Sequence, residues 1–100
     1  MTFDASHLLE TVAGIAAAAG GHRELAATHF QTAIRLADEM PFKSEQAEAR
    51  YWYARTLADW PAPDRTQMRG LLEAALTIYG TANMPWHVER TDALLADTCP

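Results

Sequence analysis

Residues 47–60 read Ala47-Glu48-Ala49-Arg50-Tyr51-Trp52-Tyr53-Ala54-Arg55-Thr56-Leu57-Ala58-Asp59-Trp60, and their spacing decides the fold. At about 100° per residue, Ala47, Tyr51, Ala54 and Ala58 share one stripe of a helix, and Tyr53, Leu57 and Trp60 share another. The two stripes cover roughly half of the circumference, a wider arc than the single apolar stripe of a surface helix. A helix of this kind packs on two sides and belongs in the middle of a stack. It is expected from about Phe42 to Asp59, with Trp60-Pro61-Ala62-Pro63 as its breaker, because proline lacks the N–H that a continuing helix needs.

Upstream, a second pattern runs from about His22 to Glu39. Ala26, Phe30, Ala33, Ile34 and Ala37 recur at helical spacing, with Leu25, His29 and Leu36 beside them. Met40-Pro41 stops it, and Pro41 suits the first turn of the helix that follows. Before it, a helix from about Ser6 to Ala19, capped by Asp4 or Ser6, presents Leu8, Leu9, Val12, Ile15, Ala16 and Ala19 as its expected inner face. His7, Glu10, Thr11, Gly14, Ala17 and Ala18 form the expected outer face. Gly20-Gly21 ends it, glycine being suited to a left-handed cap.

Downstream, Asp64 with Gln67 three residues on reads as a capping box. The helix it opens buries Met68, Leu71, Leu72, Ala75, Leu76 and Tyr79 and is expected to end at Gly80. Asn83-Met84-Pro85 then starts a fifth helix to about Asp97, with Val88, Thr91, Leu94 and Leu95 inward. The fold class is all-α, one domain over residues 1–100, with no sheet.

Composition narrows the role. The net charge is −5, from 8 Lys plus Arg against 13 Asp plus Glu, and no run of cations exists to grip phosphates, so nucleic acid is not the expected partner. Cys99 is the sole cysteine, which leaves no intrachain disulfide and suggests a reducing compartment. The first residues lack a basic leader region, and Ala13 to Ala19 is too short an apolar run to span a bilayer. A cytoplasmic protein without membrane contact is expected.

The segments also repeat. Phe30, Ala33 and Ile34 return 42 residues later as Leu72, Ala75 and Leu76, and Glu39-Met40-Pro41-Phe42 returns 44 residues later as Asn83-Met84-Pro85-Trp86. Glu45 and Ala49 return as Glu89 and Ala93. The chain therefore reads as two copies of a helix pair (about 6–40 and 42–80) followed by a capping helix (about 85–97). Gly14 followed by Ala26-x3-Phe30-x2-Ala33 resembles the spacing of small and aromatic positions in a tetratricopeptide repeat. The second copy keeps it as Met68-x3-Leu72-x2-Ala75, with Ala54 in the place of Gly14. The period exceeds the family's usual length of about 34, so the resemblance is to a tetratricopeptide-like array. It implies antiparallel helix pairs in a short right-handed solenoid.

A second likeness is more particular. Ala49 to Arg55, Leu71-Leu72-Glu73-Ala74-Ala75-Leu76-x2-Tyr79, Met84-Pro85 and Glu89-Arg90-x3-Leu94-Leu95 are together similar to the C-terminal repeat tails of bacterial, chiefly actinobacterial, signalling proteins. Those tails follow ATPase, cyclase, kinase or DNA-binding domains. No motif for such activities is present in this chain.

Chemistry-bearing patterns are few. His7 with Glu10 and His22 with His29 lack the one-turn spacing with which two helical ligands reach one ion, so no metal site is expected. His29 is expected beside Leu25 and Leu36, and His87 beside Thr91 and Leu94. No nucleophile has a base and an orienting group beside it, and no glycine-rich phosphate loop appears. Neither catalysis nor a cofactor is expected. Arg50, near the apolar arc, is expected to snorkel or to find a carboxylate.

Trp52 is the anomaly, an aromatic in a polar arc with Glu45, Glu48, Arg55, Thr56 and Asp59. It is either an exposed anchor for a partner or packed against a loop or another helix. The expected function is a protein-interaction or scaffold module, whose groove is lined by the first helix of each pair. Glu48, Trp52 and Arg55, with Gly14 and Ala18 on the first helix, are the candidate partner-binding residues. The partner is a protein or peptide, and self-association through the first helix is a further expectation. The alternative is a regulatory sensor that binds a small ligand or peptide between helices.

Overall fold

Two turns show how the chain folds back on itself. After the first helix Gly21 takes a left-handed φ of 82°, the His22 N–H bonds to the Ala17 carbonyl at 2.9 Å and the Gly21 N–H to Ala18 at 3.0 Å. That is a Schellman cap, and glycine fits its left-handed position without strain. The fourth helix ends in the same way. Asn83 takes φ 58°, and the Met84 N–H bonds to the Tyr79 carbonyl at 3.0 Å. Asparagine is the side chain that best tolerates this conformation after glycine, so the stop is Asn83, and Gly80 lies inside the helix.

The computed structural model describes residues 6–39, 43–60 and 63–98. Its elements are α1 (Ser6–Ala19), α2 (Arg23–Asp38), α3 (Lys43–Ala58), α4 (Arg65–Thr81) and α5 (Pro85–Thr98), with no strand among the described residues. The expected cap at Asp4, the stop at Met40-Pro41, the start at Phe42, Pro61-Ala62 of the breaker, and Cys99 lie outside them. Asp64 does cap α4, its carboxylate accepting from the Gln67 N–H at 3.0 Å. The Gln67 side chain does not complete the box and donates instead to the Tyr53 hydroxyl at 3.2 Å.

α1 packs chiefly on α2 and α3 on α4, while α3 also touches α1 and α5. α2 also packs on α3 and α4 on α5, and Phe30 of α2 and Met68 of α4 share a core. α3 thus touches each of the other four described helices. The body measures 44 × 31 × 18 Å, the smallest dimension being that of two helix layers.

The two stripes of α3 serve two cores, as their spacing requires. Tyr53 and Leu57 join Ala17, Ala26, Phe30 and Met68. Ala47, Tyr51 and Ala54 join Leu72, Ala75 and Tyr79. Phe30 is fully buried and stacks on Tyr53 at 5.3 Å. Tyr53 in turn accepts amide donors from Gln31 of α2 and Gln67 of α4. Of the residues expected to face inward on α2 and α4, Ile34, Leu71 and Leu76 are only half-buried. Arg50 finds its carboxylate: its two terminal nitrogens reach Asp38 at 2.9 and 2.7 Å, a bidentate pair tying α3 to the end of α2.

α1 is turned relative to the expected orientation. Thr11, Gly14 and Ala17, assigned outward, are buried, whereas Leu9 and Val12, assigned inward, are 69% and 56% exposed. Ala16 and Ala19 are exposed with them. The cause is Phe30, which fills the space between α1 and α2. A Cβ at position 14 would lie 3.0 Å from three atoms of its ring, so the slim face of α1 must turn toward it. The larger side chains are left outside. The Gly14 side of α1 is therefore covered, and the exposed side carries Leu9, Val12, Ala16 and Ala19.

Gly14→Ala is accordingly expected to destabilise. Alanine gains about 1 kcal/mol of helix propensity, but overpacking a core costs about 1–3 kcal/mol, and a ring stacked on Tyr53 has little room to yield. A lowered urea midpoint is the expected reading, with a larger fall for Gly14→Leu.

Candidate interaction site

The polar arc of α3 carries Glu48, Trp52 and Arg55 one turn apart, so they project toward the same side of the helix. Trp52 is half-buried and packs against both cores. Its ring stands edge-on to Tyr51 at 5.5 Å, and its indole N–H donates to Glu48 Oε2 at 3.1 Å. Of the two expected descriptions the packed one applies, and the residue also lines a surface groove.

That groove, about 330 Å³, is bounded by Ile15, Ala18 and Ala19 of α1, Gly21 of the turn, Arg23 at the start of α2, and Trp52, Arg55, Thr56, Asp59 and Trp60 at the end of α3. Arg55 lies over the Trp52 ring at 5.7 Å, within cation–π range. Arg23, Arg55 and Asp59 are exposed at the rim. Among the described residues, no ion pair involves Arg23 or Arg55.

On the other side of Trp52, Glu48 gathers donors from three helices. The Tyr79 hydroxyl donates to its Oε1 at 2.5 Å and Arg90 Nη2 at 2.8 Å, with His87 Nε2 3.7 Å away. The Arg90 guanidinium sits over Tyr51 at 3.8 Å and faces Trp86 at 5.1 Å. Burial alone would raise the Glu48 pKa, but the hydrogen bonds from Tyr79, Arg90 and Trp52 and the Arg90 charge together hold it below 4.5. Burial, and then the Glu48 carboxylate, push the Tyr79 phenol far above its ordinary value, so it stays a donor.

Of the residues expected to bind a partner, the structure brings Ala18, Trp52 and Arg55 together in the groove. Glu48 lies behind Trp52 in the ionic cluster, and Gly14 is removed by its burial against Phe30. Arg23, Asp59 and Trp60 were not marked by the sequence as site residues. They sit at helix ends, and only the fold shows that the α1–α2 turn meets the end of α3. Arg90 carried no local signal either, since its partner Glu48 is 42 residues away.

His29 Nδ1 lies 2.6 Å from Glu10 Oε2, joining α1 to α2, and His87 packs against the Tyr79 ring at 5.0 Å. Among the described residues no group of three or more His, Cys, Asp or Glu is placed to hold a metal ion. No helix of the described residues is long and apolar enough to cross a membrane. In comparisons with family models, curated proteins and solved structures, the chain matches none.

Proposed function

We propose that the chain is a non-catalytic protein-interaction module of tetratricopeptide-like build, whose groove between α1 and α3 receives an extended segment of a partner. The contacts of α3 with both α1 and α5 and the Gly14–Phe30 approach support a short right-handed array of helix pairs. The observation that carries the functional reading is one open surface holding two tryptophans and two arginines, neither arginine forming an ion pair among the described residues. Trp52 and Trp60 offer flat apolar walls at low entropic cost. Arg23 and Arg55 offer charge to a carboxylate. The segment that fits carries an aromatic or aliphatic anchor next to Asp or Glu.

The sensor reading has the same polar groups in its favour. The exposure of Ala19, Gly21, Arg23, Arg55 and Asp59 makes the groove open, which suits a segment better than an enclosed ligand. The likeness to bacterial signalling tails supports a cytoplasmic regulator as the setting.

Selection from a random peptide display library on the intact chain tests the proposal. Enriched peptides are expected to pair Asp or Glu with an apolar anchor. Arg55→Glu should weaken the best of them by about tenfold or more, about 1.4 kcal/mol, and added salt should weaken binding to the parent chain. Selected peptides without acidic bias, or equal binding to the Arg55→Glu chain, would sink the reading.

A further inference from the structure

We propose that α3 and α4 together form an arginine-recognition cage that α5 fills in cis through Arg90, and that an arginine-bearing segment of a partner chain can take the same place. The proposal does not depend on the groove reading. Four cage residues belong to α3 and α4, namely Glu48, Tyr51, Trp52 and Tyr79. The guanidinium lies 3.8 Å from the Tyr51 centroid and 5.9 Å from that of Trp52. Its Nη2 reaches Glu48 at 2.8 Å and the Tyr79 hydroxyl at 3.1 Å. Aromatic faces around a carboxylate are the chemistry that captures a cation. A plane stacked on a ring with a nitrogen directed at the acid favours guanidinium over ammonium.

The cis occupant fits incompletely. Arg90 Nε is buried without a hydrogen-bond partner, an unmet donor that another backbone approach could satisfy. The outer wall comes from α5 itself as Trp86, which is 62% exposed. α5 touches α3 only slightly, and it leaves α4 through the left-handed Asn83. Arg90 is thus one of the ties between α5 and α3, beside His87 at Glu48 and the apolar side chains Val88, Leu94 and Leu95 at the second core. Occupancy in cis lowers the apparent affinity for any outside arginine by the fraction of time the cage is filled.

The test uses the full chain with Arg90→Ala and, as probes, N-acetyl-arginine methylamide and its lysine counterpart at millimolar concentrations and matched ionic strength. Tryptophan fluorescence of Arg90→Ala should respond saturably to the arginine probe. The lysine probe and the wild-type chain should each need at least tenfold more probe, and adding Glu48→Gln to Arg90→Ala should abolish the response. If Arg90→Ala loses its helical circular dichroism, the arginine probe should restore it and the lysine probe should not. Equal responses of the variant and wild type, equal responses to both probes, or an unfolded variant that neither restores would overturn the proposal.

Discussion

Replacing Phe30 by alanine is expected to remove about 3–5 kcal/mol of stability, the range for truncating a buried phenylalanine. The site has little means of collapsing. The ring is fully buried, stacked on Tyr53, and faces a glycine on α1 that brings no side chain to fill the void. A domain of this size holds about 5–15 kcal/mol in total, so the variant should sit near the edge of folding. Urea denaturation followed by circular dichroism reads the effect directly. An unchanged midpoint would mean that Phe30 is not the centre of the first core.

That centre was legible because an aromatic flanked by alanines at helical spacing marks a ring plugged between two closely paired helices. The two-sided packing of α3 was legible from the same kind of spacing, and all five helices appear close to their expected spans. The facing of α1 was not. A rule that sends the larger apolar residues inward places Leu9 and Val12 in the core, yet their bulk keeps them from lying against Phe30. Shape complementarity decided that orientation, and it depends on a residue of another helix. The end of α4 was misplaced at Gly80 because glycine is the commoner left-handed residue, while here Asn83 takes that conformation.

The second large effect falls on Glu48. Glu48→Ala leaves Arg90 among aromatic rings without a counter-charge and deprives Tyr79 and Trp52 of an acceptor. Breaking a buried pair costs about 3–5 kcal/mol. The Glu48 side chain is 33% exposed, which reduces the expected loss to about 2–4 kcal/mol. Its pH dependence follows from a carboxyl held below its ordinary value of 4.5. The stabilisation is full above the pKa of the unfolded chain and is lost as pH falls through the lower folded value.

The gap in urea midpoint between wild type and Glu48→Gln should therefore be wide near pH 7 and should close in acid, below the folded pKa. A gap that stayed constant into acid would show that the charge is not its source. None of this cluster could be read from sequence, because its members come from α3, α4 and α5 and only the packing brings them together.

Trp52 forms a wall of the groove with one part of its ring and holds Glu48 with its indole N–H. The two surfaces therefore share one side chain. Whatever occupies the groove and turns the indole must strain its bond to the Glu48 cluster, and with it the seat of Arg90. Thermodynamic linkage makes this reciprocal: a groove ligand that loosens α5 by a given factor is itself bound less tightly by the same factor when α5 is docked. Were both proposed sites to bind, this one tryptophan would make them a single coupled equilibrium. The strength of that coupling is the difference between groove affinities measured on the parent chain and on one whose Arg90 has been removed.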